Sequence, residues 1–151
     1  MIVGGVYMIS RVYLDNCCFN RPYDDQSVLT TYLESEAKLF VQRGILEGKF
    51  ELAWSYIMDY ENSVNPYDAR KYAIAEWRDK AVIDIGVSAE VESLANDIML
   101  KGIKKKDALH IACSIVAECD VFLTTDKKIL NKTFAKVQLL NPIEFVRKLE
   151  V

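Results

Sequence analysis

Two short stretches of sequence decide the fold: KKKDALHIA over residues 104–112 and, one helix later, VFLTTD over residues 121–126. The first places Asp107 at the start of a helix rich in small residues, and the second is an apolar strand that stops at Asp126. A helix that returns the chain into a strand is typical of a parallel sheet, whose strand ends carry the groups that meet ligands. Both carboxylates are therefore predicted at one end of a sheet, where they can act as metal ligands.

The rest of the chain alternates strands and helices around this centre. Short apolar runs between Gly, Ser and Asn residues predict strands at 11–14, 50–54, 81–86, 120–124 and 137–140. Apolar periodicity and capping residues predict helices at 27–48, after Ser55, and at 67–80, 88–101, 107–118, 127–134 and from 142 onward, with a loop at 21–25. This order predicts an α/β fold, a three-layer α/β/α sandwich with a central, mainly parallel sheet of about five strands.

Length and composition limit the classes of protein to consider. The 151 residues are enough for one domain, predicted to span residues 11–151 after an N-terminal extension at residues 1–10. A net charge of -3 argues against tight non-specific binding to a polyanion, so any contact with nucleic acid must be local. The four cysteines lack zinc-binding or CxxC spacing and, with no signal peptide or membrane span predicted, indicate a cytoplasmic protein with reduced thiols.

Two further acids are predicted to join Asp107 and Asp126. Asp15 ends the first strand, and Glu61 lies on the helix that leaves the second strand. If the first, second and fourth strands are neighbours, all four acids reach one pocket. Crowded carboxylates repel one another, so either their pKa values rise or a cation neutralises them. Oxygen donors favour Mg²⁺ or Mn²⁺, which can polarise a phosphodiester and activate water.

Four motifs in this order resemble those of a PIN domain. They are LDN at 14–16, SYIMDYE at 55–61, DALHIA at 107–112 and LTTD at 123–126, and the resemblance covers residues 11–149. It implies a metal-dependent endoribonuclease, in many small members the toxin of a bacterial or archaeal toxin–antitoxin pair. RNA, an antitoxin protein and a second copy of the chain in a homodimer are the partners it implies. The family's catalytic and metal-binding acids correspond to Asp15, Glu61, Asp107 and Asp126.

The chain departs from the family at two positions near these acids. Asn16 stands where many members have Ser or Thr, and its amide can still orient a water molecule. Lys128 stands where many members have a further Asp, which leaves a second metal position open. Asn16 and Thr124 are predicted to support the site.

Each of the remaining polar residues near the motifs allows two interpretations. His110, the one histidine of the chain, is predicted to serve helix packing or to lie at the surface, and the alternative is that it points toward the pocket and contacts substrate or water. The basic residues around the motifs are predicted either to lie in solvent or to bind RNA phosphates at the rim of the pocket. This RNA-binding set is Lys104, Lys105, Lys106, Lys127, Lys128 and Arg21.

Two other function classes remain as alternatives. One is a PIN-like module that binds RNA or protein but has lost catalysis, which Lys128 favours. The other is a signalling receiver domain, also doubly wound. A receiver requires an acidic pair directly after the first strand, whereas here Asn16 follows Asp15. It is therefore the weaker alternative.

Overall fold

The computed structural model describes residues 2–3, 6–7 and 9–149. At the start of the chain, β1 (Ile2–Val3) and β2 (Val6–Tyr7) pair as a short antiparallel hairpin. The predicted extension at residues 1–10 falls partly outside the described residues and stays a prediction.

The main sheet contains five parallel strands in the order β5-β4-β3-β6-β7. The strands are β3 (Ser10–Leu14), β4 (Phe50–Ser55), β5 (Ile83–Ile85), β6 (Val121–Leu123) and β7 (Gln138–Leu140). Val12 on the central strand β3 is in register with Leu52 on one side and Val121 on the other. The predicted α/β fold with a parallel sheet is therefore confirmed.

The helices follow the predicted order, and two predicted caps are confirmed. The side chains of Ser55 and Ser88 each accept a hydrogen bond from the first turn of the helix that follows. The helices are α1 (Asn16–Asn20), α2 (Leu29–Leu46), α3 (Tyr56–Ser63), α4 (Asp68–Ala75), α5 (Ala89–Met99), α6 (Lys105–Val116), α7 (Lys127–Leu130) and α8 (Pro142–Leu149). Within the described part of the chain, none of them has the length and apolarity that crossing a membrane requires.

The two faces of the sheet carry different helices because successive strand residues point to opposite sides. Phe50 on β4 packs edge-on against Phe145 of α8. Tyr13 on β3 instead contacts His110 of α6 and stacks on Phe122 of β6. Helix α2 packs against α8, and α5 packs against α6. These contacts build the two outer layers of the predicted sandwich.

Three predicted boundaries were wrong. Residues 21–25 were predicted as a loop, but Arg21–Tyr23 form a 3-10 helix directly after α1. Pro22 fits there because it stands in the first turn, where its missing N–H is not needed. The helix predicted at 67–80 changes to a 3-10 helix at Glu76–Lys80, and the helix predicted at 127–134 ends at Leu130. Local sequence patterns place such ends only to within a few residues.

A buried lysine on α2 provides a test of the packing of this layer. Lys38 is 5% exposed, and its ammonium lies 5.4 Å from the ring centroid of Phe19. Burial lowers the pKa of Lys38 from 10.5 to about 8. At pH 7 the folded protein must therefore keep a charge that burial disfavours. We expect Lys38→Met, which retains the length of the side chain, to raise the free energy of unfolding at pH 7 by roughly 1–3 kcal/mol.

The pH dependence of this gain identifies its cause. Between pH 8 and 10.5 the unfolded chain keeps the Lys38 proton that the folded chain has lost, so the stability of the native protein rises with pH. The advantage of Lys38→Met in urea denaturation should consequently shrink above pH 8. Lys80→Met, at an exposed position, is the matched control and should show no such trend. A destabilised Lys38→Met at pH 7 would contradict the interpretation.

Candidate metal centre

The site lies where the strand order of the sheet reverses. From β3 the chain adds β4 and β5 on one side and β6 and β7 on the other. In open parallel sheets, ligands bind outside the carboxyl ends of the strands at such a reversal. Counted along the chain, the main strands are ordered 3-2-1-4-5, whereas a receiver-type fold has the order 2-1-3-4-5. The receiver alternative is therefore excluded.

Asp15 follows β3 at this reversal and is buried. Its Oδ1 accepts a hydrogen bond of 2.8 Å from the backbone N–H of Asn16, which caps α1. Its Oδ2 accepts one of 2.9 Å from the hydroxyl of Thr124, and that hydroxyl oxygen in turn accepts from the backbone N–H of Asp126 at 3.1 Å. Thr124 thus links the two acids that follow the central strands. The Cys17 thiol lies 3.5 Å from Asp15 Oδ2.

Glu61 reaches the same place from α3. The amide of Asn16 donates to Glu61 Oε2 at 3.2 Å, and Lys106 Nζ lies 3.9 Å from the same oxygen. Its other oxygen, Oε1, is hydrogen-bonded to His110 Nε2. Burial alone would raise the pKa of Glu61, but the His110 hydrogen bond and the charges of His110 and Lys106 outweigh it and lower the pKa. Glu61 is thus favoured in its charged form.

Asp107 completes the set from α6. The helix begins at Lys105, so Asp107 lies in its first turn and is not its capping residue. Burial raises the pKa of Asp107, and the negative charges of Asp15 and Asp126 raise it further. Glu61 acts in the same direction, and His110 opposes it. The negative charges of Asp15, Asp126 and Glu61 therefore all act on Asp107.

His110 is packed inside the fold, as predicted, and it also contacts the acidic cluster, which was the alternative prediction. It is 0% exposed, and besides its contact with Glu61 its Nδ1 lies 2.6 Å from the hydroxyl of Tyr13. That hydroxyl is also 2.6 Å from the Ser55 hydroxyl at the end of β4. Sequence spacing could have indicated both residues: Tyr13 is two positions before Asp15 on one strand, and His110 is three positions after Asp107 on one helix.

The donor atoms fit a divalent cation. One ligand atom each from Asp15, Glu61 and His110 lie within 4.8 Å of one another. Beside them, burial and then the negative charges of Asp15 and Asp126 raise the pKa of Asp107. A divalent cation in this cluster would relieve that repulsion.

The predicted basic residues divide into two groups. The first group is exposed at the starts of α6 and α7 and consists of Lys104, Lys105, Lys106, Lys127 and Lys128. Lys105 and Lys106 lie inside the first turn of α6. Arg21 is instead paired with Glu34 at 2.9 Å and with Asp24 at 3.1 Å. Its guanidinium is occupied by acids of the fold, so the structure argues against its predicted role in binding RNA.

The comparisons with known proteins support the fold alone. The sequence matches no protein-family model, and no curated protein matches it. Among solved structures, a chain in the crystal structure of VapBC2 from Rickettsia felis, bound to a DNA fragment from their promoter, is similar, with a TM-score of 0.54 and 17% sequence identity. The similarity covers 87% of this chain and 98% of that chain. This similarity supports the fold described above, an α/β sandwich with a parallel central sheet.

Proposed function

We propose that the protein is a metal-dependent endoribonuclease that hydrolyses RNA phosphodiester bonds. The observation that carries this proposal is the convergence of Asp15, Glu61, Asp107 and Asp126 at the reversal of the sheet. Four acids from separate elements serve no evident purpose in packing, and the negative charges of Asp15, Asp126 and Glu61 add to burial in raising the pKa of Asp107. The sequence resemblance to PIN domains and the PIN-like fold are consistent with this activity.

In this proposal the acids hold Mg²⁺ or Mn²⁺, and the neighbouring polar groups fix the acids. Asn16 orients Asp15 and Glu61 together, because its backbone N–H and its amide each donate to one of them. The Thr124 hydroxyl donates to the Asp15 carboxylate and accepts a hydrogen bond from the backbone N–H of Asp126. When bound, the cation supplies charge that polarises the phosphodiester and activates water for attack. No nucleophilic side chain is required.

Metal dependence is the first test of the activity. We expect the untagged protein to cleave mixed single-stranded RNA with Mn²⁺ present, and to lose cleavage completely in EDTA. Excess Mn²⁺ should restore cleavage, because EDTA removes the cation but leaves the carboxylates of the folded chain in place. Cleavage that persists in EDTA would contradict the proposal. RNA binding with no cleavage under any of these conditions would favour the catalytically weakened module.

The exposed lysines beside the acids are proposed to hold RNA phosphates. Phosphate contacts release counterions, so each lost contact to single-stranded RNA lowers the slope of log affinity against log salt by about 0.7. In the inactive Asp15→Asn background, Lys105→Gln with Lys128→Gln should therefore weaken binding and reduce the slope by about 1.4. Fluorescence anisotropy at several salt concentrations measures both quantities.

A matched pair of lysines at the opposite end of the sheet provides the control. Lys49 and Lys136 are exposed, and they lie one residue before β4 and two residues before β7, whose amino ends point away from the acids. Lys49→Gln with Lys136→Gln removes the same charge and should leave the salt slope unchanged. Equal effects of the two pairs would mean that general charge, and not the rim of the site, attracts RNA.

We further propose that the protein is the toxin of a toxin–antitoxin pair and acts in the cytoplasm. The likeness to a chain of the VapBC2 assembly supports an antitoxin protein as partner. Helix α2 also leaves Tyr32, Leu33 and Phe40 about half exposed, which suits a protein partner or the predicted homodimer.

A further inference from the structure

The chain has one histidine, and the fold places it inside the acidic site. His110 is fully buried on α6, with Nε2 directed to Glu61 and Nδ1 directed to Tyr13. Its nearest nitrogen lies within 4.8 Å of ligand oxygens of both Asp15 and Glu61. The site therefore offers an imidazole nitrogen as well as carboxylate oxygens to a cation.

The far side of the imidazole ring is held in the way that ligating histidines require. A histidine that binds metal through one nitrogen usually hydrogen-bonds through the other, which fixes the orientation of the ring. Here the Tyr13 hydroxyl is hydrogen-bonded to His110 Nδ1 at 2.6 Å, and the Ser55 hydroxyl is hydrogen-bonded to the Tyr13 hydroxyl at 2.6 Å. Tyr13 and Ser55 come from the central strands β3 and β4, so the orientation of the ring is set by the sheet.

The same chain of hydroxyls permits either neutral form of the ring. With a proton on Nε2, His110 donates to Glu61, and the Tyr13 hydroxyl donates to Nδ1. With the proton on Nδ1, the ring donates to the Tyr13 oxygen, whose own proton turns to Ser55. Either hydroxyl can be the donor in the Tyr13–Ser55 contact. Nε2 can thus present its lone pair to a cation without leaving a buried polar group unpaired.

We propose that His110 Nε2 is a ligand of the same cation as Asp15 and Glu61, and that the site consequently prefers Mn²⁺ to Mg²⁺. The inference rests on the proposed function, which it deepens by naming the class of metal. Mg²⁺ selects oxygen ligands and retains much of its water, whereas imidazole nitrogen suits transition-metal ions. Mn²⁺ accepts both kinds of donor, which matches this mixed set.

The competing interpretation is that His110 only positions Glu61 through their hydrogen bond. In that case the cation would meet oxygen atoms alone, and His110 would affect Mg²⁺ and Mn²⁺ binding equally. The two interpretations differ in one measurable quantity, the coupling between the electron spin of bound Mn²⁺ and an imidazole nitrogen. Because the chain has a single histidine, any such coupling is assigned to His110 without mutation.

The experiment is pulsed electron spin-echo spectroscopy of Mn²⁺ bound to the untagged, full-length protein. We expect modulation from an imidazole ¹⁴N, replaced by the ¹⁵N pattern when the protein is made with ¹⁵N-imidazole histidine. Isotope replacement leaves the fold unchanged and is therefore the matched control. Competition of Mg²⁺ against Mn²⁺ should give a dissociation constant for Mn²⁺ that is at least about tenfold lower.

Two variants extend the test to affinity. Tyr13→Phe removes the hydroxyl at Nδ1 and should weaken Mn²⁺ binding roughly 10–100-fold, the usual effect of losing such a support. His110→Gln should abolish the nitrogen modulation and most of the preference for Mn²⁺ over Mg²⁺. Equal loss of affinity for the two ions would instead indicate the positioning role. If either variant fails to fold, the wild-type spectrum alone decides.

The outcomes separate this inference from the proposed nuclease. Nitrogen modulation without RNA cleavage would uphold the ligand role and overturn the nuclease. Cleavage with a Mn²⁺ spectrum free of nitrogen modulation would overturn the ligand role and leave the nuclease standing. Failure of Mn²⁺ to bind at all would overturn both.

Discussion

Replacing Asp15 by Asn is expected to lower the rate of RNA cleavage by about 10³-fold, equivalent to about 4 kcal/mol of lost transition-state stabilisation. Asp15 accepts hydrogen bonds from Asn16 and Thr124, and its negative charge acts on Asp107. The amide of the replacement keeps an oxygen that can accept the α1 cap, but it removes the negative charge that holds a cation. Single-turnover cleavage at saturating Mn²⁺ measures the loss.

The folded state should tolerate this change. Removing one charge from a cluster that raises the pKa of Asp107 relieves repulsion, so the melting temperature of Asp15→Asn in EDTA should equal or exceed that of the wild type. Asp79→Asn, at an exposed position in the 3-10 helix Glu76–Lys80, is the matched control and should retain full activity. An active Asp15→Asn protein with unchanged metal affinity would refute the assignment of the site.

Replacing Phe122 by Ala is expected to lower the free energy of unfolding by about 3–5 kcal/mol. Phe122 is 0% exposed at the middle of β6, and its ring stacks on Tyr13 with centroids 5.3 Å apart. Truncation leaves a cavity between the sheet and α6 that rigid neighbours can fill only in part. Because domains of this size are stable by only about 5–15 kcal/mol, a large share of the total would be lost.

Urea denaturation followed by tryptophan fluorescence measures this effect. Phe122→Leu retains most of the apolar volume and should be clearly less destabilised, which separates the cavity from the loss of aromatic stacking. Val87→Ala, at an exposed position outside the core, should change the free energy of unfolding by less than about 0.5 kcal/mol. Equal losses for the two Phe122 variants would show that stacking, and not cavity formation, dominates.

Most of the fold could be predicted from local sequence. Apolar runs bounded by Gly, Ser and Asn identified all five strands of the main sheet, and Ser55 and Ser88 marked helix starts that the structure confirms. These features depend on neighbours a few residues away, which the sequence displays directly. The loop predicted at residues 21–25 was wrong at Arg21–Tyr23, which form a 3-10 helix, and the short helix α1, capped by Asp15, was not predicted.

The sequence by itself determined the α/β class and four acids at element boundaries, because periodicity and capping are properties of short segments. Only the tertiary structure decided the strand order, which excluded the receiver alternative and brought residues as distant as Asp15 and Thr124 into contact. It also paired Arg21 with Glu34 and brought His110 into contact with Glu61. These outcomes depend on which elements become neighbours. That choice follows from burial of the whole core, and no short stretch of the chain encodes it.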